Sequence, residues 1–385
     1  MWNIYQAAVT ICLAVFIINL ILNLRALHRL GKNDGALPDP LPLISVLIPA
    51  RNEESNIRNC LESLTRQNYP NYEILVLDDG SSDRTADIVQ EMSQANPRVR
   101  LLRGAPLPQG WAGKTYACHQ LSLEAKGSWL LFTDADTIHA PEMLSSALAY
   151  SHNHGVSLLS GFPLQHTVSF AQRVAIPMMY FFILSCLPLW WVQRSKKPRP
   201  GVAIGQFLFF KADDYRAMGG HEIVKSRILE DVWLGIEIVR RGKRHGVVDL
   251  TGMISCRMYE RLGPLWEGMG KWFYSITSLS PLIFTIIIIA VFGVFILPFL
   301  IAVGRVTPGL PDYGFSLLIV LQILFIFLMR IIIDHRFRHS KRYFLLQPLS
   351  ISFWIVCGTA SVIKRLTGRG TSWKQRVYKP GSKVE

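Results

Sequence analysis

The sequence predicts an α/β domain built on a mostly parallel sheet, with membrane-crossing helices at both ends of the chain. Three observations predict it. Over residues 43–153, short β-rich runs alternate with segments of helical period, the pattern of a layered α/β fold. Acidic residues and glycines collect just after the strands, the edge where open α/β sheets bind ligands. Long apolar runs at 7–24, 276–303, 316–333 and 344–363 are close to the roughly 20 residues a helix needs to cross a bilayer.

Residues 1–30 read as an N-terminal anchor. The run 7–24 has no basic segment before it and no small-residue cleavage site after it, which argues for a retained helix over a signal peptide. Arg25, His28, Arg29 and Lys32 follow, so the positive-inside tendency puts the N-terminus outside and the next domain in the cytoplasm. Residues 31–42 (GKNDGALPDPLP) are a linker. Residues 43–50 (LISVLIPA) form a strand. Residues 53–67 form a helix with Ile57, Cys60, Leu61 and Leu64 on one face. A strand at 72–80 (YEILVLDDG) ends in acids, and a helix with a Ser/Asp start covers 81–94. A strand at 98–104 and a helix at 114–125 follow. The strand 128–136 (SWLLFTDAD) again ends in two acids, and helix 141–153 has proline in its first turn.

Segment 168–192 is apolar, yet enzyme-like sequence flanks it on both sides. A single crossing would separate two halves of one site, so an interfacial position is expected. Pro177 and Pro188 break it into short helices, and Trp190 and Trp191 suit the headgroup level. In the C-terminal transmembrane region, 273–363, the loop 334–343 is basic, as is the tail, 364–385. Three simple spans would put that tail outside, so the last run, containing Pro348, is expected to be re-entrant or interfacial.

The net charge of +14 reports sidedness and contact with anionic lipid, with no nucleic acid implied. The six cysteines are scattered singly, which suggests neither a zinc site nor a disulfide framework.

Three acidic clusters carry the chemistry. Asp134 and Asp136 form a D-x-D at a strand end. This suits a hard divalent cation that also bridges two oxygens of a nucleotide diphosphate. A solvated acidic turn is the other reading, but the pair follows four apolar residues of a buried strand. Asp78 and Asp79 can accept from a uracil N–H or a ribose hydroxyl. They can also form an Asx turn, although Asp83 already serves the helix that follows. Glu230 and Asp231 open the helix 229–241. A helix start stabilises acids in any case, whereas the functional reading is a general base for an acceptor hydroxyl.

Gly113-Lys114-Thr115 ends as a P-loop does, but Pro108 stands where the first glycine of G-x-x-x-x-G-K-[ST] belongs. An ATP site is therefore one reading. A second has Lys114 beside a diphosphate, with Trp111 covering a sugar or touching the acceptor. A surface turn is the third. Arg257 positions either diphosphate or acceptor, or forms a structural ion pair.

With the opening IPARNEE, these clusters resemble the family 2 glycosyltransferases of GT-A fold, over residues 43 to about 272. IPARNEESNIRNCLESLTRQNYPNYEILVLDDGSSDRT is similar to the nucleotide half of that family, FTDADT to its D-x-D and LEDVWLG to its E-D motif. The resemblance implies a Rossmann-like, mixed and mostly parallel sheet. It implies that Asp79 contacts the nucleoside base with Glu53 beside it. Asp134 and Asp136 would bind ribose and a metal-diphosphate, with Asp136 on Mg2+ or Mn2+. Asp231 would be the base of an inverting displacement. The Q-x-x-R-W of processive synthases is replaced: Gly268 stands for Gln and Lys271 for Arg, with only Trp272 kept, so polysaccharide synthesis is not expected. Lys271 would still face the leaving diphosphate.

GWAGKTYACHQ, GQFLFFKADDYRAMGGHE, CRMYERLGPLWEGMGKW and GTSWKQRVY resemble the membrane glycosyltransferases of carotenoids and hopanoids and, more distantly, ceramide glucosyltransferases. There Gly205 and Gln206 would lie near the sugar. The expected activity is transfer of a hexose from a nucleotide-sugar, a UDP-sugar, to a lipid hydroxyl, that of a carotenoid. Hopanoid, sphingolipid-like and polyprenyl-phosphate acceptors stay open, as does the ATP-binding reading.

Overall fold

The structure, a computed structural model, describes residues 2–32, 34–192, 202–259, 261–277, 280–306, 317–373 and 376–378. The end of the basic tail, 379–385, lies outside the described residues.

The alternation read from the sequence builds one seven-stranded sheet. In chain order its strands and those of a smaller sheet are β1 (Ile44–Ala50), β2 (Tyr72–Asp78), β3 (Val99–Arg103), β4 (Trp129–Phe132), β5 (Thr137–His139), β6 (Leu158–Phe162), β7 (Leu164–Gln165), β8 (Leu208–Lys211), β9 (His245–Asp249) and β10 (Ile254–Cys256). The large sheet runs β3-β2-β1-β4-β8-β6-β9. All its pairs are parallel except the two made by β8. The small sheet runs β5-β10-β7. β1 and β2 are buried almost throughout and read as continuous apolar runs, as strands covered on both faces must. The helix Ile57–Thr65 covers one face with the Ile57, Cys60, Leu61 and Leu64 stripe, all fully buried.

Order reverses between β1 and β4, so the loops after β1, β2 and β4 open on one edge. The loops after β1 and β2 are bound to each other there. Asn52 N–H donates to Ser81 Oγ at 3.0 Å and Ser82 N–H to Asn52 Oδ1 at 2.9 Å. Asp83 accepts from Thr85 N–H at 3.0 Å, in the turn that leads into the helix Thr85–Ala95.

Among the described residues, three helices are long and apolar enough to cross a membrane, Trp2–Ala26, Leu317–Arg336 and Lys341–Leu366, and a fourth span results if the bent pair Leu262–Thr277 and Pro281–Phe295 counts as one. The first exceeds the run 7–24 at both ends and is tied to the seven-stranded sheet: Leu30 N–H donates to Asp249 O, and Arg29 and Arg336 both pair with the fully buried Asp249. Segment 168–192 breaks as expected, into Phe170–Ala175, Pro177–Cys186 and Leu189–Val192. The break at Leu187 leaves carbonyls unpaired, and Asn19 and Asn23 of the first helix donate to those of Leu184, Ser185 and Leu187. Trp190 also serves this joint: its indole N–H donates to Asn19 Oδ1. Its indole N–H is therefore turned to the protein.

The last run is one helix in the structure, and Pro348 does not interrupt it. The proline sits in the first turn of the unbroken helix Gln347–Leu366, where a missing N–H costs nothing. A domain boundary at 272 falls inside the helix Leu262–Thr277, because one amphipathic helix faces the site and continues past it. Gln347–Leu366 lies along this helix. Its Ser361 Oγ donates to Gly270 O, while at its other end Gln347 Oε1 accepts from Arg330, which also donates to Arg173 O.

Candidate active site

The D-x-D turn leaves β4 and is shaped from within. Thr137 Oγ1 donates to Asp134 O at 2.6 Å, and Thr133 Oγ1 donates to Gln206 O at 2.8 Å, fastening the exit of β4 to the approach to β8. The chain then enters β5, which pairs antiparallel with β10, Thr137 opposite Cys256. Asp136 is thereby brought against β10, where it hydrogen-bonds the Cys256 thiol. Gln206 Nε2 donates to the same sulfur at 2.9 Å, and Gln165 Nε2 donates to Gln206 Oε1. Burial, then Asp136 and Asp134, push the Cys256 thiol well above its ordinary range, so it stays a neutral S–H.

Asp231 sits in the first turn of the helix Glu230–Arg240. Its Oδ2 accepts from Gly205 N–H and its Oδ1 from Val232 N–H, each at 2.8 Å. A Cβ at position 205 would stand 3.2 Å from both Asp231 Oδ2 and Lys114 Nζ, so glycine admits this approach. Burial and the neighbouring Glu230 push the Asp231 carboxyl up to about 6, against the pull of Lys114 and the two N–H groups.

Lys114, in the first turn of the helix Gly113–Glu124, reaches Asp134 Oδ1 at 2.5 Å and Glu230 Oε1 at 3.5 Å. Burial alone would lower its ammonium; Asp134 and Glu230 hold it well above the usual lysine value instead. The helix follows β3, and its lysine is directed at carboxylates, not at an empty anion cradle. This is not the arrangement of a P-loop, which follows the first strand. One turn along, the buried Cys118 thiol is pushed up by burial and then acted on by Lys114, Glu230, Asp134 and Asp79 together. These four charges therefore converge. Lys271, from Leu262–Thr277, interacts electrostatically with Glu230, Lys114, Asp134 and Asp231.

Asp79 is half-buried at the sheet edge, its carbonyl accepting from Arg51 at 2.7 Å. Glu53 lies beside it on the β1 loop, held by Thr85 Oγ1 on its N–H and by Asn56 on its carboxylate. Four candidates stand apart from the cluster. Asp78 is buried and committed to Arg103 at 3.1 Å and to Ser81 N–H, a structural role. Trp111 packs on Tyr116 and His119, the helix face turned away from Lys114 and Cys118. Trp272 packs on Phe273 and on Trp354 of the last long helix. Arg257 is exposed just beyond β10. Cys118, Cys256 and Gln165 were not singled out from the sequence, where lone cysteines read as small apolar residues. The contacts of Cys256 and Gln165 come from β5, β7 and β10, which are two or three residues long and carry no periodicity; those of Cys118 come from Lys114 of its own helix and from charges on other elements.

Among the described residues no cluster of three or more His, Cys, Asp or Glu is placed to hold a metal alone. Asp134 and Asp136 supply hard oxygens that fit a divalent cation whose other ligands arrive with a diphosphate.

Residues 45–218 match Glycosyl transferase family 2, and they form a family 2 glycosyltransferase domain of GT-A fold. The chain is 30% identical over 227 residues to the 4,4'-diaponeurosporenoate glycosyltransferase of Staphylococcus haemolyticus, a match covering 56% of this chain and 57% of that protein. It is 35% identical over 106 residues to the beta-monoglucosyldiacylglycerol synthase of Trichormus variabilis, covering 27% of this chain and 22% of that one. The matches thus span about half of the first relative and a fifth of the second. Among solved structures, the Pyrobaculum calidifontis mannosyltransferase PcManGT, in complex with GDP-Man and Mn2+, superposes over 95% of this chain and 99% of its own. The TM-score is 0.53 at 16% identity, a likeness of fold.

Proposed function

We propose that the protein transfers a hexose, with inversion and with a divalent cation, from a nucleotide-sugar to a hydroxyl of a membrane lipid. The acceptor favoured is a carotenoid, given the similarity to a diaponeurosporenoate glycosyltransferase. The observation that carries the reading is Asp231: a half-buried carboxyl raised to about 6, aimed by Gly205 and set beside the Lys114–Asp134 pair. A general base works best when its pKa lies near the working pH. Asp231 takes the acceptor proton as the hydroxyl oxygen attacks the anomeric carbon, and the nucleoside diphosphate leaves from the opposite face. Asp79 and Glu53 hold the nucleoside, for which a UDP-sugar is favoured. Lys114 and Lys271 bring positive charge to the leaving diphosphate. Asp136, with Asp134, would hold Mg2+ or Mn2+, which when bound neutralises charge building on that diphosphate. Asp136 is kept in place through Cys256 and Gln206.

The acceptor would reach the site from the bilayer. The basic residues after the first helix and in the loop 334–343 support a multi-pass protein of the cell membrane with its catalytic domain in the cytoplasm. Both ends of Gln347–Leu366 are bonded to neighbours of the catalytic domain, which supports an in-plane course for that helix and leaves the tail on the same side.

Asp231→Asn tests the reading. Transfer is abolished while nucleotide-sugar binding is kept, and near-normal turnover would sink the base assignment. Incubation with radiolabelled UDP-glucose, UDP-galactose and GDP-fucose and a lipid extract identifies the labelled lipid, separating carotenoid from hopanoid, sphingolipid-like and polyprenyl-phosphate acceptors.

A further inference from the structure

One buried polar group at the site is used by nothing described so far. His221 follows two left-handed glycines, Gly219 and Gly220, in a tight 3-10 turn, and is fully buried. Its ring lies 4.6 Å from that of Phe132, at the end of β4. Its Nδ1 meets the Tyr215 hydroxyl at 2.6 Å, and that oxygen also accepts from the His221 backbone N–H at 3.1 Å. The backbone N–H occupies a lone pair of the phenol oxygen and the Ser122 hydroxyl approaches it too, while the 2.6 Å contact directs the phenol proton at Nδ1. Nδ1 is then the acceptor, and the single proton of the neutral ring is on Nε2. Burial, with help from the positive charge of Lys114, lowers the ring to about 3, so it is neutral throughout the working range.

Nε2 has no hydrogen-bond partner among the described residues. Buried polar groups left without a partner are rare, and each calls for a reason. The ring borders a narrow crevice that Lys114, Cys118, Asp134, Gly205 and Glu230 also line, too tight to admit a water molecule. Only a ligand that displaces part of the wall can meet Nε2. The displaceable part is Lys114, whose ammonium sits above Gly205 on a flexible stem and which a diphosphate would draw away from Asp134.

What would enter is set by the wall. With Lys114 drawn toward the diphosphate, two carboxylates, Asp134 and Glu230, are left to accept and the imidazole to hydrogen-bond. A second phosphate group in that space would be repelled by the carboxylates. A polyol both donates and accepts, and satisfies all three.

We propose that His221, locked by Tyr215 as the Nε2–H form, donates a hydrogen bond to one hydroxyl of the donor hexose and so selects the sugar. This rests on the reading of the protein as a nucleotide-sugar transferase. Tyr215 acts as a positioning residue, through the ring.

The test is binding of UDP, UDP-glucose, UDP-galactose (inverted at C4) and UDP-xylose (lacking C6) to the full-length protein in nanodiscs. It compares wild type with His221→Ala, His221→Gln and Tyr215→Phe. Wild type is expected to distinguish the sugars at one carbon by roughly tenfold, the loss of one hydrogen bond. His221→Ala keeps the UDP affinity and no longer distinguishes them at that carbon. His221→Gln, whose amide N–H reaches toward the place of Nε2–H, restores part of the discrimination, and Tyr215→Phe weakens it. Undiminished discrimination in His221→Ala overturns the proposal, and so does parallel loss of UDP and UDP-sugar affinity, which marks a structural histidine. Failure of the wild type to bind any of these, or GDP and GDP-mannose, overturns the transferase reading itself.

Discussion

Acidification from pH 7 to pH 5 is expected to slow transfer about tenfold through one group, Asp231. Its carboxyl is raised to about 6, so it is ionised nine parts in ten or so at pH 7 and about one part in ten at pH 5. The base form is present above pH 6 and lost below it, and the rate follows with a slope of one on the acid limb. The neighbours fix which way variants move that limb. Glu230 raises the carboxyl, so Glu230→Gln moves the half-point below 6; Lys114 lowers it, so Lys114→Met moves the half-point higher.

Stability carries the opposite sign. A carboxyl raised from 3.8 to about 6 weakens the fold once the unfolded chain would ionise it, on the order of 3 kcal/mol at neutral pH. The penalty is absent well below pH 3.8 and complete above 6. Asp231→Asn therefore abolishes transfer yet raises the melting temperature, more at pH 7.5 than at pH 4. The assays are single-turnover transfer against pH and thermal melts at the two pH values. A flat profile between pH 5 and 7, or an upward shift in Glu230→Gln, would refute the electrostatic argument.

Three further outcomes follow from specific contacts. Lys114→Ala removes the cation shared by Asp134 and Glu230, and is expected to weaken nucleotide-sugar binding by roughly tenfold or more, measured by calorimetry. Asp249→Ala leaves Arg29 and Arg336 facing a buried gap, and is expected to cost about 3 kcal/mol, seen as a lower melting temperature. Gly268→Ala puts a Cβ into the Tyr259 phenol, whose backbone is held by Gln172, so the variant melts earlier and Tyr259→Ala in the same chain restores it.

The strands and helices of the nucleotide half were legible because each is a local pattern. β1 and β2 announce themselves as apolar runs, and Ile57, Cys60, Leu61 and Leu64 as one helical face. The acids at strand ends were legible for the same reason, since position along a strand fixes position at the sheet edge. Lys114 was legible in charge but not in direction: a G-K-T spacing does not say whether the ammonium meets phosphates or carboxylates. Asp78 and Asp79 look equivalent in sequence. Only the parallel pairing of β2 with β3, Asp78 opposite Arg103, commits the first to an ion pair and leaves the second at the edge.

The departure at Gly268 was visible, but its physical sense required a residue nine positions away: the phenol of Tyr259 fills the space that a side chain on that helix would take. Cys256 and His221 were least legible of all. Each has its role fixed by partners on other elements, Gln206 and Asp136 for one, Tyr215 and the cavity wall for the other. A sequence shows such residues only as a buried thiol and a buried ring. Their pairing with the reaction is a property of the fold, which is why the glycines at 205, 219 and 220, needed to bring the backbone round to them, were the nearest trace that the sequence carried.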